Sequence, residues 1–170
     1  MKKNAERFVH AVFCDDIRQE MGGKVSLMGC FQGDLLVPFL PVALPKLCVF
    51  VTVSTPVKRP LKSLKIRIMQ DNTELVALDV PQGGATVPIV EDGITRILAN
   101  AAMVFSPFAI PAPTAIRVIV TTEEGEIIGP RLRIKAMPEQ PAVPSERTAS
   151  ARKARKTSAK KPAVRRAPSK

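Results

Sequence analysis

The chain has 170 residues with 26 Lys/Arg against 15 Asp/Glu, a formal net charge of +11, seven phenylalanines, and neither tryptophan nor tyrosine. That length suits one domain of ordinary size plus an extension, and the scarcity of rings excludes an aromatic platform that stacks on bases or sugars. The charge is segregated: residues 1–138 hold 16 Lys/Arg against 13 Asp/Glu, net +3, whereas residues 139–170 hold 10 against 2, net +8.

An odd number of cysteines and a start, MKKNAERF, with no apolar stretch behind its charges point to free thiols and a cytoplasmic protein. Two apolar windows, Leu35 to Val53 and Ile97 to Ile116, approach the ~20 residues that span a bilayer. Each holds three prolines, which would leave helical carbonyls unpaired in hydrocarbon, so no membrane segment is expected.

Along the chain, Phe8 to Cys14 and Val25 to Phe31 are apolar on both faces, the pattern of interior strands. Asp16, with Gln19 at the third position, suits the cap of a single helical turn between them, and Gly22-Gly23 supplies positive φ for the return. An antiparallel pair joined by a wide, ordered loop is predicted. Pro38 to Pro45 reads as an extended connection, and Lys46 to Ser54 as a central strand covered on both faces.

Leu64, Ile66 and Ile68 alternate with Lys65 and Arg67, Asp71-Asn72 marks a tight turn, and Val76, Leu78 and Val80 continue the alternation, so a hairpin is predicted over Leu64 to Val80. Gly93 to Phe105 fits both a helical stripe and a strand face; a short helical or irregular start with a strand from about Ala101 is expected. Ile116, Val118 and Val120 alternate with Arg117 and Thr121, Glu123 to Glu126 turns, and Leu132, Ile134 and Ala136 alternate with Arg131, Arg133 and Lys135 as a second hairpin. With no βαβ signature, seven or eight strands give an all-β fold, an antiparallel β-sandwich over residues 1–138. Residues 139–170, rich in Ala, Lys, Arg, Pro and Ser, cannot bury enough apolar area to offset the entropy of ordering, and a disordered tail is expected.

The block FCDDIRQEMGGKVSLMGCF, followed by LLVPFLPVALPKL and a hydrophobic strand, resembles the opening of a bacterial family known as a domain of unknown function, small cytosolic proteins of which some come from phage-related regions. The resemblance covers Phe8 to Ala136 and is most specific at Cys14-Asp15-Asp16-Ile17-Arg18, Glu20, Gly23-Lys24 and Ser26-Leu27-Met28-Gly29. It implies a β-sandwich-like domain and brings no activity with it. The tail resembles those of linker histones in composition only.

Candidate chemistry is sparse. His10 shares a strand face with Cys14, but Cys14, Cys30 and Cys48 fall on separate strands with no ligand two to four residues away, so buried thiols with a satisfied histidine are expected and no metal. Asp15, Asp16 and Glu20 are read as capping and ion-pairing within their link, since no calcium-loop pattern accompanies them. Nucleophile motifs, phosphate cradles and dinucleotide fingerprints are absent, and no cofactor is expected. Lys65, Arg67, Arg117, Arg131, Arg133 and Lys135 read as a solvated strand face, becoming a basic face for nucleic acid if both hairpins share a sheet.

The expected function is that of a non-enzymatic interaction module. Its tail, through Arg152, Lys153, Arg155, Lys156, Lys160, Lys161, Arg165 and Arg166, binds nucleic acid or another polyanion non-specifically. A structural or assembly protein, phage-related and with a solubilising tail, is the alternative. An enzyme using Asp15, Asp16 or His10 comes third.

Overall fold

The alternating apolar residues become strands throughout. A computed structural model describes residues 6–80 and 94–138, and among them there are twelve strands and no helix. β1 (Phe8–Cys14), β6 (Leu47–Pro56) and β9 (Arg96–Phe105) form a three-stranded sheet in the order β1-β6-β9. β4 (Asp34–Val37), β12 (Gly125–Ala136), β11 (Thr114–Thr122), β7 (Leu64–Gln70) and β8 (Thr73–Val80) form a five-stranded sheet in that order. Two small ladders complete the set, β2 (Asp16–Glu20) with β3 (Lys24–Met28) and β5 (Val42–Leu44) with β10 (Phe108–Ile110). The two larger sheets share one aliphatic layer, with Val49, Val51 and Val53 on one side and Ile66, Ile68, Ile116, Val118, Val120, Leu132 and Ile134 on the other. The fold is the expected β-sandwich, antiparallel everywhere except where β4 pairs parallel to β12.

Both predicted hairpins are present, β7 with β8 and β11 with β12, and Asp71 holds the first turn at φ +49°. β6 is the central strand its two apolar faces required, with Leu47, Cys48, Val49, Val51, Val53 and Ser54 fully buried. Ala136, expected to face inward, is exposed at the end of β12.

The first third of the chain departs from expectation. Phe8 to Cys14 does not pair with Val25 to Phe31; β1 pairs with β6 over its whole length, and a single bridge joins Phe13 to Phe31. β1 is therefore at the edge of its sheet, and Phe8, Val25 and Met28 are exposed instead of interior. The helical turn after Asp16 is replaced by β2, because Ile17 and Gln19 find cross-strand partners in Leu27 and Val25. Asp16 still bonds locally, its Oδ1 accepting the N–H of Ile17 at 3.0 Å, but it caps a strand entry and no helix. Gly22 and Gly23, at φ +78° and +72°, make the turn. The Pro38 to Pro45 connection contains β5. β9 is extended from Arg96 onward, since ten consecutive pairs with β6 outweigh the helical propensity of its alanines.

One end of the sandwich is closed by a partly buried ion pair. The Arg7 side chain is 3% exposed; its Nη2 meets Glu123 Oε1 at 2.5 Å and its Nε donates to Thr55 Oγ1 at 3.1 Å. Glu123 Oε2 also accepts the N–H groups of Lys62 and Ser63 at 3.1 and 3.2 Å. Burial opposes ionisation of Glu123, but the Arg7 guanidinium and these N–H groups hold its carboxyl down at about 2, against an ordinary 4.5.

Candidate functional site

The acidic residues of the first link are engaged with neighbours. Asp16 forms ion pairs with Lys46 at 2.8 Å and Arg18 at 3.3 Å, and the hydrogen bonds from those cations hold its carboxyl below the usual range. Glu20 accepts the hydroxyl of Ser26 across the β2–β3 ladder. Asp15 packs against Gly29, whose φ is +65°; a Cβ there would lie 2.0 Å from Asp15 Oδ2. Of the three acids expected to pair with cations, Asp16 alone does so, with Arg18 inside the link and Lys46 outside it, while Glu20 takes a hydroxyl and Asp15 is in no ion pair among the described residues.

Cys14 and Cys48 are cross-strand partners, fully buried, and bond to the backbone of the same link: Cys14 Sγ to Asp16 O at 3.4 Å and Cys48 Sγ to Asp15 O at 3.6 Å. Burial pushes the Cys14 thiol up to about 11, with the neighbouring Cys48 adding to it, and burial raises Cys48 as well. Neither is a thiolate at neutral pH. Cys30, expected to be buried, is exposed, because Gly29 turns the chain away from the core at the end of β3. His10 is exposed too, since it lies on the outer face of β1 and not in the core. Among the described residues no group of three or more His, Cys, Asp or Glu could hold a metal ion.

The cationic residues behave differently. The five-stranded sheet contains both hairpins, so the condition for a continuous basic face is met. A bulge sets which residues reach it. Arg117 pairs with Arg131 and Ile119 with Ile128, so Gly129 and Pro130 together oppose Val118. This extra residue inverts the alternation of β12. Glu126 and Ile128 face outward before it and Arg131, Arg133 and Lys135 after it, with Leu132 and Ile134 fully buried. Space at 129 is tight: a Cβ there would stand 3.1 Å from Val118 O and 3.2 Å from both Val118 Cβ and Val9 Cγ1, so any larger residue would require these neighbours to give by a few tenths of an ångström.

Most cations of this face have an acidic neighbour. Arg133 and Lys135 share Asp34 at 2.5 and 3.7 Å, Lys65 lies 3.8 Å from Asp79, and Arg67 pairs with Glu126. Arg117 and Arg131, directly opposite each other, have no acidic partner within 4.0 Å among the described residues. Opposed like charges are destabilising in a sheet, so this pair is a local conflict that no acidic side chain relieves among the described residues. Residue type and spacing alone identified all six cations, but only the bulge and the ion pairs single out these two.

The eight tail residues Arg152, Lys153, Arg155, Lys156, Lys160, Lys161, Arg165 and Arg166 lie outside the described residues. Among the described residues no helix is long and apolar enough to cross a membrane.

Comparison with curated proteins and with solved structures gives no match. A family model, described as a family of unknown function (DUF6941), matches residues 9–135, nearly the whole span from β1 to β12. The stretch on which the sequence resemblance rested is thus the stretch the family defines, and the chain belongs to DUF6941.

Proposed function

We propose that the chain is a non-enzymatic, cytoplasmic interaction module that binds nucleic acid or another polyanion with little sequence preference through residues 139–170. The observation that carries this reading is the segregation of charge, ten Lys/Arg against two Glu in that segment. The described part of the chain supports it by contrast, since most of its cations are already paired with carboxylates while Cys14 and the acids of the first link are committed to structure. Cationic segments bind phosphates by releasing condensed counterions, so affinity on duplex DNA should fall by roughly 0.9 log units per log unit of salt for each phosphate neutralised. Without aromatic residues in the segment, stacking contributes nothing and sequence preference stays slight. The test is a salt titration of full-length protein and of residues 1–138 on unrelated duplexes. Binding lost with the segment supports the reading. Equal binding by both forms moves the nucleic-acid site to the arginine face, and no binding by either near physiological salt refutes a nucleic-acid role.

A second reading, a structural or assembly protein, has one observation in its favour. Among the described residues β9 is an edge strand of ten residues with no bulge, no proline, and no charge from Ile97 to Phe105. Both edges of the five-stranded sheet are guarded, β8 by Glu74 and Asp79 and β4 by being four residues long, whereas β1, the opposite edge of the three-stranded sheet, is a shorter uncharged strand of seven residues. Leu98 and Val104 on the outer face of β9 are 58% and 55% exposed. Light scattering across a concentration series decides between a monomer and a β9-mediated assembly.

A further inference from the structure

The centre of the five-stranded sheet's outer face carries two adjacent rows of different chemistry. One row, across β7, β11 and β12, is Met69, Arg117 and Arg131; the next is Arg67, Ile119 and Ile128. Arg67 is neutralised by Glu126, which leaves in the first row two guanidiniums without an acidic partner among the described residues and in the second row two isoleucines. Ile128 is 65% exposed, the most solvent-open isoleucine of the described residues, beside a half-buried Ile119. The two rows are two residues apart along β11, about 6.7 Å. That is also the separation of consecutive same-side side chains in any extended peptide, so a strand laid along β11 meets both rows with residues i and i+2.

We propose that this face docks an extended acidic segment of a protein partner, with a carboxylate over the Arg117–Arg131 pair and an apolar side chain over Ile119 and Ile128. Charge complementarity fixes the first contact, because a guanidinium fork matches a carboxylate bidentately and one anion between the two arginines relieves their opposition. The isoleucines select protein over nucleic acid: a phosphodiester backbone offers nothing apolar to cover Ile128, and the face has no ring on which a base could stack. The bulge at Gly129 and Pro130 builds the site, since it brings Arg131 to the side of the sheet that already holds Arg117 and Ile128. The proposal is independent of residues 139–170.

The experiment uses the full chain and two labelled peptides of equal charge. In the first, Glu and Val alternate at every second position with Ser between; in the second, each Val is replaced by Ser. Fluorescence anisotropy near physiological salt should show the Val peptide binding several-fold more tightly. The double variant Arg117→Ala, Arg131→Ala should weaken it about tenfold or more, and Ile128→Ser should remove only the advantage of the Val peptide over the Ser peptide. Thermal melting checks that the variants fold, and Arg131→Gln, which keeps the bulk of the side chain, serves if the double variant does not. Equal binding of the two peptides overturns the proposal, as does unchanged affinity in the arginine variants. A loss of duplex DNA binding in those variants without a loss of peptide binding assigns the face to nucleic acid and likewise overturns it.

Discussion

Replacing Glu123 by Gln keeps the shape of the side chain that closes one end of the sandwich and removes its charge. A carboxyl lowered from 4.5 to about 2 corresponds to at most about 3 kcal/mol of pH-dependent stability. The Glu123 side chain is 23% exposed, so solvent screening reduces the working figure to ~1–2 kcal/mol. Arg7 adds to the loss, because its guanidinium is left in place at 3% exposure, with Nη1 already buried without a hydrogen-bond partner among the described residues and only Glu124, at 3.3 Å, as a remaining counter-charge. A total near 2 kcal/mol is expected at pH 7, or a melting temperature lower by about 6–10 °C for a domain of this size. The pH dependence follows from the direction of the shift. A carboxyl depressed in the folded state stabilises above its unfolded value and loses that contribution as pH falls from about 5 to about 2, so wild type and variant should converge over that window. Melting curves of both proteins from pH 7 to pH 2 provide the assay. A constant gap between them, or no gap at pH 7, refutes the account of this ion pair.

Three further outcomes are expected. Removing residues 139–170 should leave the melting temperature within the few degrees that ~1 kcal/mol produces, because the core is complete by β12; a larger fall measured by calorimetry shows that the segment docks. A thiol probe on the native protein should label Cys30 alone, with Cys14 and Cys48 reacting after denaturation, and rapid native labelling of three thiols by mass spectrometry contradicts the burial of the β1–β6 pair. Gly29→Ala should cost ~1–2 kcal/mol in urea unfolding, partly from its left-handed φ and partly from displacing the Asp15 carboxylate, and adding Asp15→Ala should recover the second part only.

Local pattern recovered the elements whose partners are near in sequence. The β7–β8 and β11–β12 hairpins were legible because a period of two ran into a turn of known chemistry at Asp71-Asn72 and at Glu123 to Gly125. The doubly apolar Leu47 to Ser54 required a central position, and the structure gives it one. Phe8 to Cys14 misled for the same reason that it is informative: its apolar outer face suggested interior burial, but β6 occupies one side of it and the β2–β3 hairpin covers only its Cys14 end. Asp16 with Gln19 satisfies a helix cap and a strand entry alike, and the decision rests on Leu27 and Val25 across the ladder, which no local rule weighs. Of the basic face, the residue identities were visible in advance. The pairing of Arg117 with Arg131 was not, since it depends on a bulge at Gly-Pro, a dipeptide that reads only as a turn or a break.

The parallel seam between β4 and β12 bears on how the protein is made. Asp34 and Arg133, joined across that seam at 2.5 Å, are 99 residues apart, so β4 leaves the ribosome long before its neighbour has been synthesised. At about 5–20 residues per second the wait is roughly 5–20 seconds, for most of which the five-stranded sheet lacks its β11–β12 hairpin, whose second strand is the one that joins β4 to the rest. The nascent chain must therefore hold an incomplete apolar layer open until its last strand arrives.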